Sequence, residues 1–146
     1  MEKITLIFDS KPISTLTKIP EDINIILYPT VESVLKESWG GEDITDSTFG
    51  FMNPDGSETD QEMDVDELCR NIKRCGIWGC VNNDGTIHMW IDKDVATKED
   101  ILSFFAHEIG HLHKPAKKDF LEEEMKAERY SDITKCAYQL YKAVAE

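Results

Sequence analysis

The sequence has no apolar run of about 18 residues, so it offers no membrane-spanning helix. Its first apolar stretch, Ile4–Phe8, is too short for the core of a signal peptide and follows an acid, Glu2. That pattern leads us to expect a cytoplasmic protein. Basic residues are scarce, 16 Lys and Arg against 29 Asp and Glu, for a net charge of −13. This balance argues against a nucleic-acid backbone or an anionic membrane as partner, because both attract lysine and arginine patches. Cysteine is sparse too: Cys69, Cys75, Cys80 and Cys136 lack the C-x₂₋₄-C pairs of structural zinc sites. Without a secretory signal no disulfide framework is expected, and the four thiols read as reduced, mostly buried small hydrophobes. What is present, 40% hydrophobic and 9% aromatic residues in 146, suits one globular domain with its own core.

The shortage of positive charge is local. Residues 1–66 hold fifteen acids and four lysines, net −11, whereas 67–146 hold fourteen acids and twelve bases, net −2. From Glu37 to Cys69 there are eleven acids and no lysine or arginine. Within that stretch Asn53-Pro54-Asp55-Gly56-Ser57 signals a turn, and Glu58, Asp60, Glu62, Asp64 and Asp66 follow at every second position. A calcium loop of the EF-hand type needs a mid-loop glycine that is missing here. The expectation is therefore a solvated acidic loop leading into a helix.

Isoleucine-rich runs at Ile4–Phe8 and Ile23–Leu27 read as strands, Val31–Ser38 as a short helix closed by Gly40-Gly41, and Thr48–Met52 as a strand. Val65–Lys73 reads as a helix. Ile77–Val81 and Thr86–Ile91 flank Asn82-Asn83-Asp84-Gly85, a hairpin turn rich in residues that tolerate φ > 0. Thr97 caps a helix whose apolar Ile101, Leu102, Phe105 and Ile109 recur at helical spacing, with Pro115 ending it; a last helix runs from about Asp119 to Val144. The fold class expected is α+β, with a small, mostly antiparallel sheet of about three to five strands packed on these last two helices. One domain over 1–146 divides into an acidic N-terminal half, 1–74, and a site-bearing half, 75–146.

The chemistry lies in Phe105-Ala106-His107-Glu108-Ile109-Gly110-His111-Leu112. His107 and His111 are one helical turn apart and point the same way, so both imidazoles can reach one metal ion. Glu108 is rotated beside the pair, where it can bond a water without being a ligand. This HExxH pattern points to zinc, which needs a third protein ligand and an open position. The longer metzincin motif is excluded by Lys114 and Lys117. Glu122, Glu123 and Glu124 each offer a carboxylate, and periodicity does not separate the last two. Small Ala127 and Ser131 on the Glu124 stripe favour Glu124, because that face can pack closely on the His107 helix. Glu128, one turn on, can then accept from a ligating histidine. Gly110 leaves room for a close neighbour.

The order of a turn, a strand, a Thr-capped helix ending in AHEIGHLH, and then E-x-x-A-x-x-Y-S at Glu124–Ser131 resembles the ImmA/IrrE-type zinc metallopeptidases of the gluzincin group. The likeness covers roughly residues 75–135. The family pattern is AHELGH followed by E-x-x-A-[ND]-x-F-A; here Glu128, Tyr130 and Ser131 stand where it has Asn or Asp, Phe and Ala. The resemblance implies a minimal zincin-like domain, His107, His111 and Glu124 as zinc ligands, and Glu108 as general base. It implies hydrolysis of a peptide bond in a specific intracellular protein, a helix-turn-helix repressor being the family's substrate class. For the oxyanion, the sequence does not separate Tyr130, His113, Arg129 and His88 as donors; Tyr130 is carried as the catalytic candidate beside Glu108. Thr86–Ile91 is the expected edge for an extended protein or peptide substrate.

A reading from another class is a non-catalytic zinc-binding interaction module whose acidic half binds a basic partner. A third, an acidic mimic of nucleic acid, accounts for the charge and leaves the HExxH motif without a role.

Overall fold

The computed structural model describes residues 2–7, 22–41, 43, 45–52, 57–113 and 116–145. Two expected features, the turn at 53–56 and the helix stop at Pro115, lie outside them. The chain runs β1 (Glu2–Ile7), β2 (Asp22–Leu27), α1 (Val31–Ser38), β3 (Thr48–Met52), β4 (Glu58–Asp64), α2 (Val65–Cys75), β5 (Ile77–Val81), β6 (Ile87–Ile91), α3 (Lys98–Leu112) and α4 (Phe120–Ala145).

Four strands form one sheet in the order β1-β2-β6-β5. β1 and β2 are antiparallel, β2 and β6 parallel, β5 and β6 antiparallel. The chain is thus mixed α+β with a small, mostly antiparallel sheet. Side-chain alternation along the strands separates two cores. Ile23, Ile25, Ile77, Ile87 and Met89 face α3, where Ile101, Phe105 and Ile109 meet them. Trp78, Trp90 and Ile26 face the other way, onto Val31, Val34 and Leu35 of α1 and Cys69 and Ile72 of α2. The last helix packs chiefly along α3, which carries it to the sheet.

Local signals explain the element boundaries. Thr97 and Asp100 form a reciprocal capping box at the start of α3, each side chain accepting from the other's N–H at 3.1 Å. Gly76 closes α2 at φ 80°, and a Cβ there would lie 2.7 Å from the Ala96 nitrogen. No other residue meets both demands, and the contact seats the start of β5 beside the start of α3.

Three expectations are corrected. Glu58–Asp64 is strand β4, paired antiparallel with β3 in a separate two-stranded sheet, rather than an acidic loop. Its acids alternate, which is the period of a strand, and the alternation places Met63 inward while Asp60 and Glu62 stay in water. β6 is no edge: it lies between β2 and β5, so the edge beside α3 is β5. Of the thiols only Cys69 is buried; Cys80 is half-buried, and Cys75 and Cys136 are exposed, all free.

Candidate metal centre

α3 and α4 lie against each other at unusually close range. A Cβ on Gly110 would meet the Ala127 Cα at 2.6 Å and its carbonyl oxygen at 3.0 Å. Ala127 and Ser131 are the two buried residues of α4. The small residues on both sides let α4 bring its preceding turn, Glu123 and Glu124, over the two histidines.

Glu124 faces both rings. Its Oε2 lies 3.1 Å from His107 Nε2 and its Oε1 3.3 Å from His111 Nε2. The opposite nitrogen of each ring has its own carboxylate: His107 Nδ1 pairs with Glu128 Oε2 at 2.9 Å, and His111 Nδ1 with Glu123 Oε2 at 2.6 Å. Glu123 also accepts at Oε1 from the Lys117 N–H at 2.8 Å and from Lys126 Nζ at 2.9 Å. Lys126 donates in turn to the His113 carbonyl at 2.6 Å. Glu128 therefore stands where the sequence predicts, whereas Glu123 serves as partner to a histidine. Glu122 is exposed.

Electrostatics follow from the pairing. Donation to Glu124 pushes His111 up to about 9 against the opposing effect of burial, and His107 rises for the same leading reason. The two imidazoles hold Glu124 down to about 2. Burial raises the Glu123 carboxyl, but the Lys117 N–H, Lys126 and His111 outweigh it and hold it below its usual value. Glu108 is the exception. It is 3% exposed, burial pushes it up to about 7, and its buried Oε2 has no hydrogen-bond partner among the described residues.

The residues fit a divalent cation. Ligand atoms of His107, His111 and Glu124 lie within 4.8 Å of one another, so the three could hold a metal ion. Two imidazole nitrogens and one carboxylate oxygen form a borderline donor set, and the carboxylates on both Nδ1 atoms leave each Nε2 free to turn to the centre. In the metal-free chain, protons on the imidazoles supply the positive charge that Glu124 faces; a metal ion would replace them. A buried acceptor without a partner calls for an explanation, and Glu108 lies on the turn that carries both histidines and lines the same cleft.

The centre opens on a cleft of about 1490 Å³ between α3, α4 and β5, lined among others by Trp78, Gly79, Cys80 and Phe104. Asp92 N donates to the Gly76 carbonyl and Asn82 N to the Thr86 carbonyl. In an antiparallel ladder these two bonds set the phase: residues 76, 78, 80 and 82 turn their main-chain groups to β6. Ile77, Gly79 and Val81 turn theirs outward, and no described strand pairs with them.

The structure does not bring the four expected oxyanion donors to the cleft. Tyr130 is six residues past Glu124, about 240° around the helix. Its ring lies by Gly110 and its hydroxyl bonds His113 Nδ1. Arg129 is about 140° around and exposed. His88 faces away from α3 by strand alternation. It is buried between Tyr28 Oη and Asn82 Nδ2, each at 2.7 Å, and burial lowers its basicity.

No protein-family model, curated protein or solved structure matches the chain. No described helix is long and apolar enough to cross a membrane.

Proposed function

We propose that the chain is a zinc-dependent endopeptidase of zincin-like type, acting on a peptide segment of a specific intracellular protein. The observation that carries this reading is the convergence of His107, His111 and Glu124 in the cleft that Glu108 also lines, with a buried Glu108 oxygen that has no partner among the described residues. A site built only to hold an ion has no use for that carboxylate, whose burial costs stability. A helix-turn-helix repressor as substrate rests on the family resemblance alone.

A bound zinc ion supplies a Lewis acid that polarises water and the scissile carbonyl. His107 and His111 would hold it through Nε2, with Glu124 completing the protein ligands. Glu128 and Glu123 orient the rings by accepting from Nδ1–H. Glu108, its pKa raised to about 7 by burial, takes a proton from water at its carboxylate and returns it to the leaving nitrogen. The outward N–H and C=O groups of Ile77, Gly79 and Val81 pair with the main chain of an extended substrate, replacing Thr86–Ile91 as the pairing edge.

The test is a peptide library incubated with the zinc-loaded chain and with Glu108→Gln, read by mass spectrometry. The variant is expected to keep its zinc and lose roughly 10²–10⁴ in cleavage rate. No cleavage by the wild type, or equal cleavage by the variant, overturns the proposal.

A further inference from the structure

We propose that Lys126 is a positioning residue of the metal centre: by holding Glu123 it fixes the ring of His111 and keeps Glu123 from replacing Glu124 as ligand. The inference rests on the reading of His107, His111 and Glu124 as metal ligands. Glu123 and Glu124 are consecutive on α4 and both reach His111, at 2.6 and 3.3 Å. Glu123 meets the ring at Nδ1 and Glu124 at Nε2, so the two adjacent carboxylates exchange roles if the ring turns over, and something must hold it.

The distinction lies in what occupies the oxygens. Glu123 Oε2 accepts from His111 Nδ1, and Oε1 accepts from both the Lys126 ammonium and the Lys117 N–H. That uses three of about four acceptor positions on the carboxylate. The pair is largely shielded, with side-chain exposures of 15% for Lys126 and 17% for Glu123, so solvent screens it little. Among the described residues Glu124 has only the two imidazoles as partners and remains available to a metal ion. Among the described residues no ammonium or guanidinium pairs with Glu128, the carboxylate on His107.

Lys126 does more than neutralise. Its second bond, to the His113 carbonyl at 2.6 Å, anchors the ammonium to the end of α3. The segment joining α3 to α4 is thereby tied through Lys117 N–H, Glu123 and Lys126 to the orientation of one ligand. With Nδ1–H committed to Glu123, the His111 ring cannot rotate without breaking this network, and Nε2 stays aimed at Glu124.

The experiment is Co²⁺ titration of the full chain, followed by visible absorption, with Zn²⁺ competition for affinity. Lys126→Met is expected to weaken binding roughly 10–100-fold and to shift the Co²⁺ bands as Glu123 enters the coordination. Lys126→Arg is expected to keep both affinity and spectrum. In a Glu123→Gln background, Lys126→Met should add less than about twofold, because residues acting through one another are not additive. A Lys126→Met protein with wild-type affinity and spectrum overturns the proposal, as does full additivity with Glu123→Gln. Loss of far-UV helix signal in Lys126→Met together with its affinity makes Lys126 a fold residue and overturns it too. Failure of the wild type to bind Co²⁺ refutes the metal-centre reading itself, which separates the two failures.

Discussion

His107 and Glu124 face each other at 3.1 Å while the far nitrogen of the same ring meets Glu128 at 2.9 Å. One ring is thus held between two carboxylates from successive turns of α4. The inner carboxylate faces the second histidine as well; among the described residues the outer one pairs only with His107. This division assigns different consequences to removing each.

Glu124→Ala is expected to lose metal affinity by on the order of 100-fold or more, since a ligand goes. Glu128→Ala is expected to weaken it by roughly 10–100-fold, since only ring orientation goes. Isothermal titration with Zn²⁺ measures both. Retained tight binding in Glu124→Ala would move the third ligand elsewhere.

The metal-free chain should have its stability maximum near pH 5. Glu108 titrates at about 7 in the fold against 4.5 unperturbed, so its contribution is present below 4.5 and lost as pH rises through 7. His111 titrates at about 9 against 6.5, so its contribution is present below 6.5 and lost as pH rises through 9. Glu124, held to about 2, contributes above 4.5 and loses that as pH falls toward 2. Thermal midpoints in chelator across pH 3–9 test this. A midpoint that climbs steadily from pH 5 to 9 would refute it. Glu108→Gln should raise the midpoint at pH 8, because it removes a buried charge.

Gly110→Ala should destabilise the chain despite the gain of about 0.5–1 kcal/mol that alanine normally brings to a helix interior. The added methyl would sit 2.6 Å from the Ala127 Cα. Backbone cannot yield as a side-chain tip does, and overpacking of this kind costs about 1–3 kcal/mol. Urea unfolding gives the net loss. Zinc affinity should fall with it, because the same contact sets the spacing between α3 and the Glu124 turn.

Val81→Pro removes an outward N–H of β5 and no bond to β6. It should weaken peptide cleavage while leaving zinc bound; Val81→Ala controls for the half-buried side chain. Undiminished cleavage by the proline variant would exclude β5 as the pairing edge.

Several elements were legible because their signals are local. Thr97 announces the start of α3, and Asn82–Gly85 announces the β5–β6 turn. Strand β4 is not legible although its acids alternate at period 2, because Met63 is its only apolar residue. Glu128 was legible one turn beyond Glu124. Tyr130 stands near Glu124 in the motif, but helical rotation turns it toward His113, a placement the spacing of the motif does not carry.

The sequence by itself determined the HExxH pair, since two histidines four residues apart on a capped helix must share a face whatever surrounds them. It also determined the uneven charge. The small residues Ala127 and Ser131 favour Glu124, but only the tertiary structure decided which glutamate faces both rings, because periodicity does not separate the neighbours Glu123 and Glu124. The contact of Gly110 with Ala127 sets the height of α4 over α3, and Lys126 with the Lys117 N–H occupies Glu123. Likewise, the strand that stands at the sheet edge depends on β2 pairing with β6 across some sixty residues of chain. Such long-range pairing leaves no mark in the spacing of nearby residues.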